Sequence, residues 1–525
     1  MEISNKRVVC SAPGKVLVTG GYLVLDKKYD GIVFTIDSRF YTTIEGSLKS
    51  SPTPSSSSET LTSSFETLEY LTDINVISPQ FHSSQTYHIY HNKSNYNKSY
   101  ELKPFGNENY RENKYVENTI IYSLIALSQY KNQTTEFFNK LISSYRLISI
   151  TIVGDNGFYS QIPQLKKRNL SISFESLKSL PKFLPVTGSL EELQKTGLGS
   201  SAALVSSLTA SLLSFFGAID LECKDSQSQK DKTVLHNLAQ VAHCIAQGKI
   251  GSGFDISSAV FGSQVYRRFS PELINDILKL FDSKLYPNPK DLLKYISETE
   301  WDNKHLDMGL PRGLHLLLAD VSIGSNTPVM VKKILEWRKN DPIVANGIWN
   351  QLDIENTNVK HCFIKLNQLS KENESQYDKI LSQFGNIPQS DWESSISNNN
   401  NNNNNNNNEE ESLFFSNIGK TLITIRGSFL KIRSLMREMG KIADVPLEPI
   451  EQTELADETM SINGCIAAGV PGAGGFDALF AIVITNQDEI KNCWMNWKKC
   501  QVLPLVLNEN STGVAIDMSH ITPKL

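Results

Sequence analysis

A glycine- and serine-rich segment, KTGLGSSAA at residues 195–203, contains the residue types that phosphate binding needs. Gly197 and Gly199 let the backbone approach a ligand closely, because glycine has no Cβ. Ser200 and Ser201 then open a predicted helix, whose free N–H groups and dipole favour an anion. A serine hydroxyl at this point can also reach a metal ion that bridges phosphates. The alternative is a glycine turn that only leads into a packed helix, and the segment alone does not decide between the two.

A second segment, GKIGSGFD at residues 248–255, delivers one carboxylate from among glycines. Asp255 could act as a general base for a hydroxyl or phosphate nucleophile, an effect typically worth about 10²–10⁴ in rate. It could also be the N-cap of a short helix over residues 256–261. Taken alone, the position favours the N-cap.

Three further segments carry groups that could face the same ligand. In SAPGKVLVTGGYLVL, Lys15 follows a Pro-Gly turn and is either a solvated lysine or a point charge for a phosphate. In GSNTPVMVKK, at residues 324–333, a polar loop leads into a helix capped by Thr327, which is a second anion site or a plain capped helix. In GVPGAGGFDALFAI, a glycine turn before an apolar strand either presses backbone against the phosphate loop or only joins packed elements. Its glycines are Gly472, Gly474 and Gly475.

Hydrophobic periodicity predicts the elements that must position these groups. Leu204, Leu208 and Leu212 recur at helical spacing after Ser201. A second helix is predicted over residues 233–247, with Gly248 at its end. Strands are predicted at residues 7–12, 16–18 and 314–321, with a turn at Pro13-Gly14 between the first two.

Bulk composition excludes several other classes of protein. The 525 residues carry a formal net charge of -5, which argues against a nucleic-acid binder. Seven cysteines occur without a CxxC pair, so neither a zinc site nor a disulfide framework is indicated. No apolar run approaches the roughly 20 residues of a membrane span. Walker A, protein-kinase and G-x-S-x-G serine-hydrolase motifs are absent.

Two segments look like insertions. Residues 47–64 are rich in Ser, Thr and Pro, and residues 394–411 contain eleven consecutive asparagines. The asparagine tract cannot bury apolar surface, so we expect a disordered surface loop over residues 394–411. Neutral repeat expansion explains the asparagine tract better than a function does.

Taken together, the segments resemble one family. SAPGKVLVTGGY, KTGLGSSAA and GVPGAGGFDA are similar to the three motifs of the GHMP kinases, in the same order along the chain. The longer segments, including AQGKIGSGFDISSAVFGS and GSNTPVMVKK, resemble the eukaryotic-type phosphomevalonate kinases within that superfamily. A mevalonate kinase would usually have P-S-G-x-D where residues 251–255 read GSGFD. The resemblance spans nearly the whole chain apart from the two insertions.

The resemblance implies an α+β fold with two domains. It places a ribosomal protein S5 domain 2-like, ATP-binding domain at residues 1–270 and a ferredoxin-like domain at residues 271–525, with the active site between them. It also implies transfer of the ATP γ-phosphoryl group to (R)-5-phosphomevalonate, giving (R)-5-diphosphomevalonate and ADP on the mevalonate route to isoprenoids and sterols. Alternatives are another GHMP kinase, such as mevalonate kinase, or a catalytically silent ligand-binding regulator.

Site roles follow from the resemblance, position by position. It assigns Asp255 and Lys15 to catalysis and Ser201 to Mg²⁺, whereas no residue matches the acidic second magnesium ligand of some relatives. The residues assigned to the ATP phosphates are Lys195, Gly197, Leu198, Gly199, Ser200 and Ser201. Those assigned to the substrate are Lys249, Ser252, Ser325, Asn326, Thr327 and Lys332, with Arg426 as a further candidate for its phosphate.

The expected cofactors and partners are small. We expect ATP, Mg²⁺ and phosphomevalonate, with no nucleic acid or membrane partner, and a monomer or homodimer. The sequence predicts a cytoplasmic protein. Its last residues, Pro523-Lys524-Leu525, resemble a peroxisomal tail only loosely.

Overall fold

Strands and helices are mixed along the chain, which confirms the α+β class. The computed structural model describes residues 6–49, 68–106, 110–186, 194–222, 225–321, 327–403 and 409–517. The strands are β1 (Arg7–Thr19), β2 (Asp30–Leu48), β3 (Leu68–Ser78), β4 (Ser83–Asn92), β5 (Tyr100–Phe105), β6 (Tyr145–Gly154), β7 (Gln264–Arg267), β8 (Lys304–Asp307), β9 (His315–Asp320), β10 (Cys465–Gly469), β11 (Ala478–Val483), β12 (Leu503–Pro504) and β13 (Ala515–Ile516). The helices are α1 (Lys114–Leu127), α2 (Thr135–Ser143), α3 (Ile162–Lys167), α4 (Phe174–Lys178), α5 (Ser200–Phe215), α6 (Ser226–Gln247), α7 (Phe254–Phe261), α8 (Glu272–Asp282), α9 (Pro289–Ser297), α10 (Thr327–Asn340), α11 (Pro342–Glu372), α12 (Glu374–Asn386), α13 (Trp392–Asn403), α14 (Glu409–Ala443), α15 (Ile450–Ser461) and α16 (Gln487–Met495).

The long strands β1 and β2 lie at the centre of the first sheet. In the described residues this sheet has the order β13-β1-β2-β6-β3-β4-β5, with β7 joined to β2 and β8 joined to β7. Strand β3 runs parallel to β6, and the other described pairs are antiparallel. Helices α5 and α7 pack against β1, and α1 and α6 pack against α5. One helical layer therefore covers the sheet next to Lys15.

Strand β1 differs from the prediction for residues 7–18. Two short strands around a turn were expected, but one strand continues through Pro13-Gly14. The register with β2 shifts between Pro13, which faces Arg39, and Lys15, which faces Thr35. The prediction of a turn was wrong because a register shift admits proline within a strand.

Helices α5 and α6 confirm two predicted helix ends. Helix α5 begins at Ser200, one residue before the predicted start, and Gly199 is its N-cap with φ 78°. Helix α6 ends at Gln247 with Gly248 as a left-handed C-cap, as predicted. It begins earlier than expected, at Ser226, because the side chain of Asp225 accepts hydrogen bonds from two backbone N–H groups of its first turn.

The second sheet is antiparallel, with the order β10-β11-β9-β12 in the described residues. Strand β9 confirms the predicted strand at residues 314–321, and β11 is the apolar run that follows Gly475. Leu317, Ala319 and Leu479 pack with Leu455 of α15 and Trp494 of α16 in one buried cluster. Helices α14 and α15 also pack against β10.

The asparagine-rich segment is more ordered than predicted where the structure describes it. Residues 394–403 continue helix α13, and residues 409–411 begin α14, so the prediction of a loop over 394–411 was wrong for these positions. The physical reason is packing at the start of α13, where Trp392 and Ile396 are buried in the main core and hold the helix in place. Residues 404–408 lie outside the described residues. The predicted insertion at 47–64 begins inside β2, and its residues 50–64 also lie outside.

The division into two domains stays a prediction. We propose that its boundary lies later than residue 270, after Asp307. The reason is that β8 pairs with β7 of the first sheet, while α8 and α9 pack against α6. At the other end of the chain, β13 returns to pair with β1.

Two further observations concern membrane spans and cysteines. Within the described ranges, none of the helices combines the length and apolar character of a membrane span. The cysteines of these ranges are free thiols.

A buried ion cluster lies beside the strand that leads into the third glycine segment. Glu448 accepts hydrogen bonds from Arg433 at 2.8 and 3.0 Å and from Arg437 at 2.7 Å. The side chains of Arg433 and Glu448 are only 4% and 1% exposed. The methylene groups of Arg433 lie beside Gly469, where a Cβ would be 3.6 Å from them. Charges removed from water are stable only when paired, so this cluster should hold α14 and residue 448 in one arrangement.

We predict that Glu448→Gln destabilises the fold by about 3 kcal/mol, because it removes the buried carboxylate that Arg433 and Arg437 share and leaves Arg433 with the exposed Asp457 as its carboxylate partner. Chemical denaturation, read as the free energy of unfolding, measures this loss. The matched control is Asp378→Asn, which removes a partner of Arg312 from an exposed pair and should cost far less. Equal losses for the two variants would contradict the role given to Glu448.

Candidate active site

A cleft with a volume of about 310 Å³ lies where the predicted segments meet. Strand β1, the end of α6 and the start of α7 line it on the side of the first sheet. Strands β9 and β11, the start of α10 and the glycine turn at 471–474 line it on the side of the second sheet. The tertiary structure thus brings all five segments to one cavity.

The glycine loop and Lys15 form one backbone unit. The Lys15 N–H donates to the carbonyl of Leu198 at 2.9 Å, and its Nζ donates to the carbonyl of Gly197 at 3.0 Å. A Cβ on Gly199 would lie 2.9 Å from the Lys15 Cε, so residue 199 has to be glycine for the lysine to cross it. The same glycine starts α5, whose first N–H groups have no intrahelical acceptors. Lys15 and the loop residues Gly197 and Leu198 therefore share one wall of the cleft, and α5 begins directly behind that loop.

Lys15 is held between an aromatic ring and a carboxylate. Its Nζ lies 5.3 Å from the centroid of the Phe254 ring. Burial lowers the pKa of Lys15, and the charge of Asp255 opposes this shift. The carboxylate next to it therefore favours the charged ammonium that a phosphate ligand requires.

Asp255 is the second residue of α7. The N-cap of this helix is Gly253 with φ 82°, so the N-cap alternative for Asp255 was wrong. The Asp255 side chain is 22% exposed and lines the cleft. Its Oδ1 accepts a hydrogen bond from the N–H of Ile256 at 3.0 Å, which fixes the carboxylate at the start of α7 on the wall of the cleft.

The loop that carries Asp255 is fixed by buried donors from three directions. Gln240 donates to the Gly253 carbonyl at 2.6 Å, and the Tyr266 hydroxyl donates to the Ser252 carbonyl at 2.9 Å. Arg268 donates to the carbonyls of residues 250 and 251. These bonds satisfy backbone groups that the glycine-rich turn leaves open, and they set the position of the carboxylate.

His243 lies between Asp255 and Ser201. Its Nε2 lies 3.1 Å from Ser201 Oγ and 3.2 Å from Gln247 Nε2, and its Nδ1 lies 3.9 Å from Asp255 Oδ2. Tyr115 covers the ring, with ring centroids 5.7 Å apart. Burial lowers the pKa of His243, while the charge of Asp255 raises it and that of Lys249 lowers it.

The third glycine segment closes over the first segment rather than over the phosphate loop. Gly472 donates its N–H to the Leu17 carbonyl at 3.0 Å, and the Tyr22 hydroxyl donates to the Ala473 carbonyl at 2.8 Å. A Cβ on Gly474 would lie 2.1 Å from the Leu447 carbonyl oxygen, so only glycine fits there. These contacts join the two sides of the cleft.

Several predicted residues do not reach the cleft. Lys332 is exposed, with its Nζ 3.8 Å from Glu336. Arg426 donates to the carbonyls of Cys465 and Met460, so it holds α14 to its neighbours and is not available to a substrate phosphate. Lys195 is exposed and does not line the cavity, whereas Lys249, Ser252 and Thr327 do. Ser325 and Asn326 lie outside the described residues.

Sequence reasoning missed other cleft residues, including His243, Gln247, Thr196 and Asp477. A signal existed for two of them: His243 and Gln247 are four residues apart in α6, so they share one face of the helix just before GKIGSGFD. Thr196 and Asp477 had no such signal, because only the fold turns them toward the cavity.

The residues present fit a nucleotide-bound Mg²⁺ better than a metal held by protein alone. The described residues contain no group of three or more His, Cys, Asp or Glu side chains placed to hold a metal ion. Mg²⁺ commonly takes only one or two protein ligands and completes its coordination with substrate phosphates and water. The Ser201 hydroxyl at the start of α5 suits such a site.

Comparison with known proteins defines the class. Residues 165–263 match the model of the GHMP kinases N terminal domain. A Streptococcus pneumoniae phosphomevalonate kinase in complex with phosphomevalonate and AMPPNP is similar in fold, with a TM-score of 0.53, 13% identity and coverage of 96% of this chain and 100% of that one. A Lin0012 protein from Listeria innocua has a TM-score of 0.52 at 16% identity, over 98% of this chain and all of that one. The fold is that of a GHMP kinase.

Curated relatives narrow the class. The peroxisomal phosphomevalonate kinase of Arabidopsis thaliana is 35% identical over 97% of this chain and 96% of its own length. The phosphomevalonate kinase of Candida albicans is 33% identical over 91% of this chain and 89% of its own. The chain belongs to the phosphomevalonate kinase family, as the resemblance implied.

We predict that Gly199→Ala lowers turnover far more than its effect on stability explains. The left-handed backbone costs an alanine about 1–2 kcal/mol, and the new methyl group also displaces Lys15. The matched control is Gly106→Ala, which has a similar φ of 74° but, among the described residues, no atom within 4 Å of the new Cβ. Thermal unfolding should show comparable losses for the two variants, and the assay of ADP release should show a large loss only for Gly199→Ala. Equal turnover would refute the contact with Lys15 as a functional constraint.

Proposed function

We propose that this cleft transfers the γ-phosphoryl group of ATP to (R)-5-phosphomevalonate, giving (R)-5-diphosphomevalonate and ADP in the mevalonate route to isoprenoids and sterols. Membership of the family makes the protein an ATP-dependent kinase. The observation that carries the proposal is the meeting of Lys15, Asp255 and the glycine loop that leads into α5 at one cavity, where Gly197 and Leu198 line the wall. These groups are a cation, a carboxylate and an anion-binding helix end, which phosphoryl transfer requires together.

The main obstacle in this reaction is repulsion between two polyanions. Both the donor and the acceptor are phosphates, so positive charge in the cleft has to offset their mutual repulsion. Lys15 and Lys249 line the cavity and can supply it. The N-terminus of α5 adds the partial positive charge of its dipole. We assign Lys15 to the reacting groups and Gly197, Leu198, Gly199, Ser200 and Ser201 to the ATP phosphates.

Asp255 has an unusual task under this proposal. A phosphate monoester has a second pKa of about 6, so the attacking oxygen is already largely ionised near neutral pH. Removal of a proton is therefore less demanding than from an alcohol. We assign Asp255 to orienting the acceptor oxygen, with abstraction of a residual proton at its carboxylate as the lesser part. The charge of Asp255 also favours the ammonium form of Lys15.

We propose that Mg²⁺ accompanies ATP and that Ser201 Oγ is one of its ligands. When bound, the ion would neutralise charge on the β- and γ-phosphates. Among the described residues, Asp255 and Asp477 are the carboxylates that line the cleft, which makes them the candidates for an acidic ligand.

The acceptor can be tested directly by assaying ADP release with phosphomevalonate, mevalonate, homoserine and galactose. We expect turnover with phosphomevalonate to exceed turnover with each of the others by orders of magnitude. Equal or better turnover of mevalonate would overturn the acceptor and leave the kinase class standing. Binding of ATP without turnover of any acceptor would instead support a silent regulator.

We predict that Asp255→Asn cuts turnover of phosphomevalonate by at least about 100-fold, because an amide keeps the shape but loses the charge. Circular dichroism and thermal unfolding should show an intact fold. Asp276→Asn is the control, since its carboxylate is exposed and pairs with Lys279 on α8. Turnover by Asp255→Asn close to that of the control would remove Asp255 from the reaction.

The location and assembly are also proposals. We propose a cytoplasmic protein, with a peroxisomal location as the alternative because the Arabidopsis relative carries that description. We further propose a monomer or homodimer that acts on small molecules and not on nucleic acid, in keeping with the net charge of -5.

A further inference from the structure

The hydrogen bonds of His243 define which of its ring nitrogens carries the proton. Nε2 faces Gln247 Nε2 at 3.2 Å and Ser201 Oγ at 3.1 Å. An amide nitrogen only donates, so His243 Nε2 has to accept and cannot carry a hydrogen. The proton of the neutral ring therefore lies on Nδ1, which faces Asp255 Oδ2 at 3.9 Å.

The same bonds define the direction of the Ser201 hydroxyl. A serine hydroxyl has one hydrogen and two lone pairs. The Tyr115 hydroxyl also hydrogen-bonds Ser201. With the Ser201 hydrogen pointing at His243 Nε2, one lone pair of Ser201 Oγ accepts from Tyr115 and the other is left for a cation. A freely rotating hydroxyl would present its hydrogen to the same ligand part of the time.

We infer that His243 is a positioning residue, which orients the Ser201 hydroxyl through Nε2 and faces the Asp255 carboxylate with Nδ1–H. This inference rests on the proposed function, because it gives the two groups on either side of His243 their roles. His243 thereby lies between the nucleotide side of the cleft and the carboxylate that orients the acceptor, hydrogen-bonded to Ser201 and 3.9 Å from Asp255 Oδ2. It acts through its neighbours and need not touch either substrate.

The surroundings of His243 support a fixed, neutral ring. Its side chain is only 4% exposed and Tyr115 covers one face. The polar groups around it are the Ser201 hydroxyl, the Gln247 amide, the Asp255 carboxylate, the Tyr115 hydroxyl, which hydrogen-bonds both Ser201 and Gln247, and, farther away, the Lys249 ammonium. A second proton on Nε2 would clash with the Gln247 N–H and turn the serine hydroxyl away.

His236 shows what a purely structural histidine looks like on the same helix. It lies two turns earlier, is 1% exposed and packs its ring against Phe261 and Trp301. Its Nδ1 pairs with Asn237 Oδ1 at 2.9 Å, and it does not line the cleft. His236 is therefore the matched control for a buried histidine of α6.

Three replacements of His243 separate its two contacts. His243→Gln can keep an acceptor near the position of Nε2, His243→Asn keeps only a donor near the position of Nδ1, and His243→Leu keeps neither. Loss of a side chain that orients a ligand typically costs about 10–100-fold. We expect that loss in kcat for the Asn and Leu variants, with a smaller change in KM for phosphomevalonate. His243→Gln should retain most of the activity. His236→Gln should lose far less activity than His243→Leu, because His236 reaches the Asp255 loop only through a 3.4 Å contact of its Nε2 with Gln240.

A double-mutant cycle tests whether His243 acts through the serine. If it does, His243→Leu combined with Ser201→Ala should be little slower than Ser201→Ala alone, because the second change removes a contact already lost. The Mg²⁺ concentration needed for half-maximal binding of a fluorescent ATP analogue should rise in both single variants. Additive losses, or unchanged Mg²⁺ dependence in His243→Leu, would overturn the inference.

A spectroscopic readout does not depend on turnover. In protein labelled with ¹⁵N-histidine, the resonances lost in His243→Gln should report a protonated Nδ1 and an unprotonated Nε2 at neutral pH. The opposite tautomer, or a doubly protonated ring, would refute the inference even if the variants were slow. If the wild type fails to use phosphomevalonate, the proposed function fails, while the tautomer and the Mg²⁺ dependence still decide the role of His243.

Discussion

Lys15 can reach the phosphate loop only because residue 199 has no side chain. The lysine crosses directly over Gly199 and binds the carbonyl of Gly197, while its own backbone N–H binds Leu198. This crossing requires β1 to shift its register before Lys15 and requires α5 to begin at the next residue. The ammonium of Lys15 and the N-terminus of α5 are thus fixed side by side. The rest of the cleft is built around that pair.

The second half of the chain completes the cleft through backbone contacts. The turn at 471–474 binds β1 and the Tyr22 hydroxyl, and it lies on the carbonyl of Leu447. Residue 448 in turn belongs to the buried cluster with Arg433. Since glycine, backbone and a buried ion pair leave little freedom here, the two sides of the cleft are held at a set separation. A reaction between two polyanions needs such a preorganised site, because the attacking oxygen has to be held close to the phosphorus against their mutual repulsion.

Much of the local structure could be predicted from the sequence, because glycine and capping residues act within one or two turns. The end of α6 at Gly248 and the start of α5 at Ser200 are of this kind. Other predictions failed where packing overrides local preference. A strand continued through Pro13-Gly14 because a shift in register with β2 absorbs the proline, and residues 394–403 became helical behind the buried Trp392. The assignment of Lys332 to the substrate is of the same kind. Which face of α10 is buried depends on the elements packed against it, and the Lys332 side chain lies on the exposed face.

The sequence by itself determined the chemistry that is available. Two glycine loops, one lysine and one aspartate identified the family and the type of ligand, since these properties depend on residue type and short spacing. Only the tertiary structure decided how the groups act together. Lys15 meets Gly197 across 182 residues, and Ser201 meets His243 across 42. Spacing carries no information about such contacts, because they depend on strand register, on the direction of each helix and on which face it buries. The place of Asp255 on the wall of the cleft and that of His243 between Asp255 and Ser201 therefore became visible only in the folded chain.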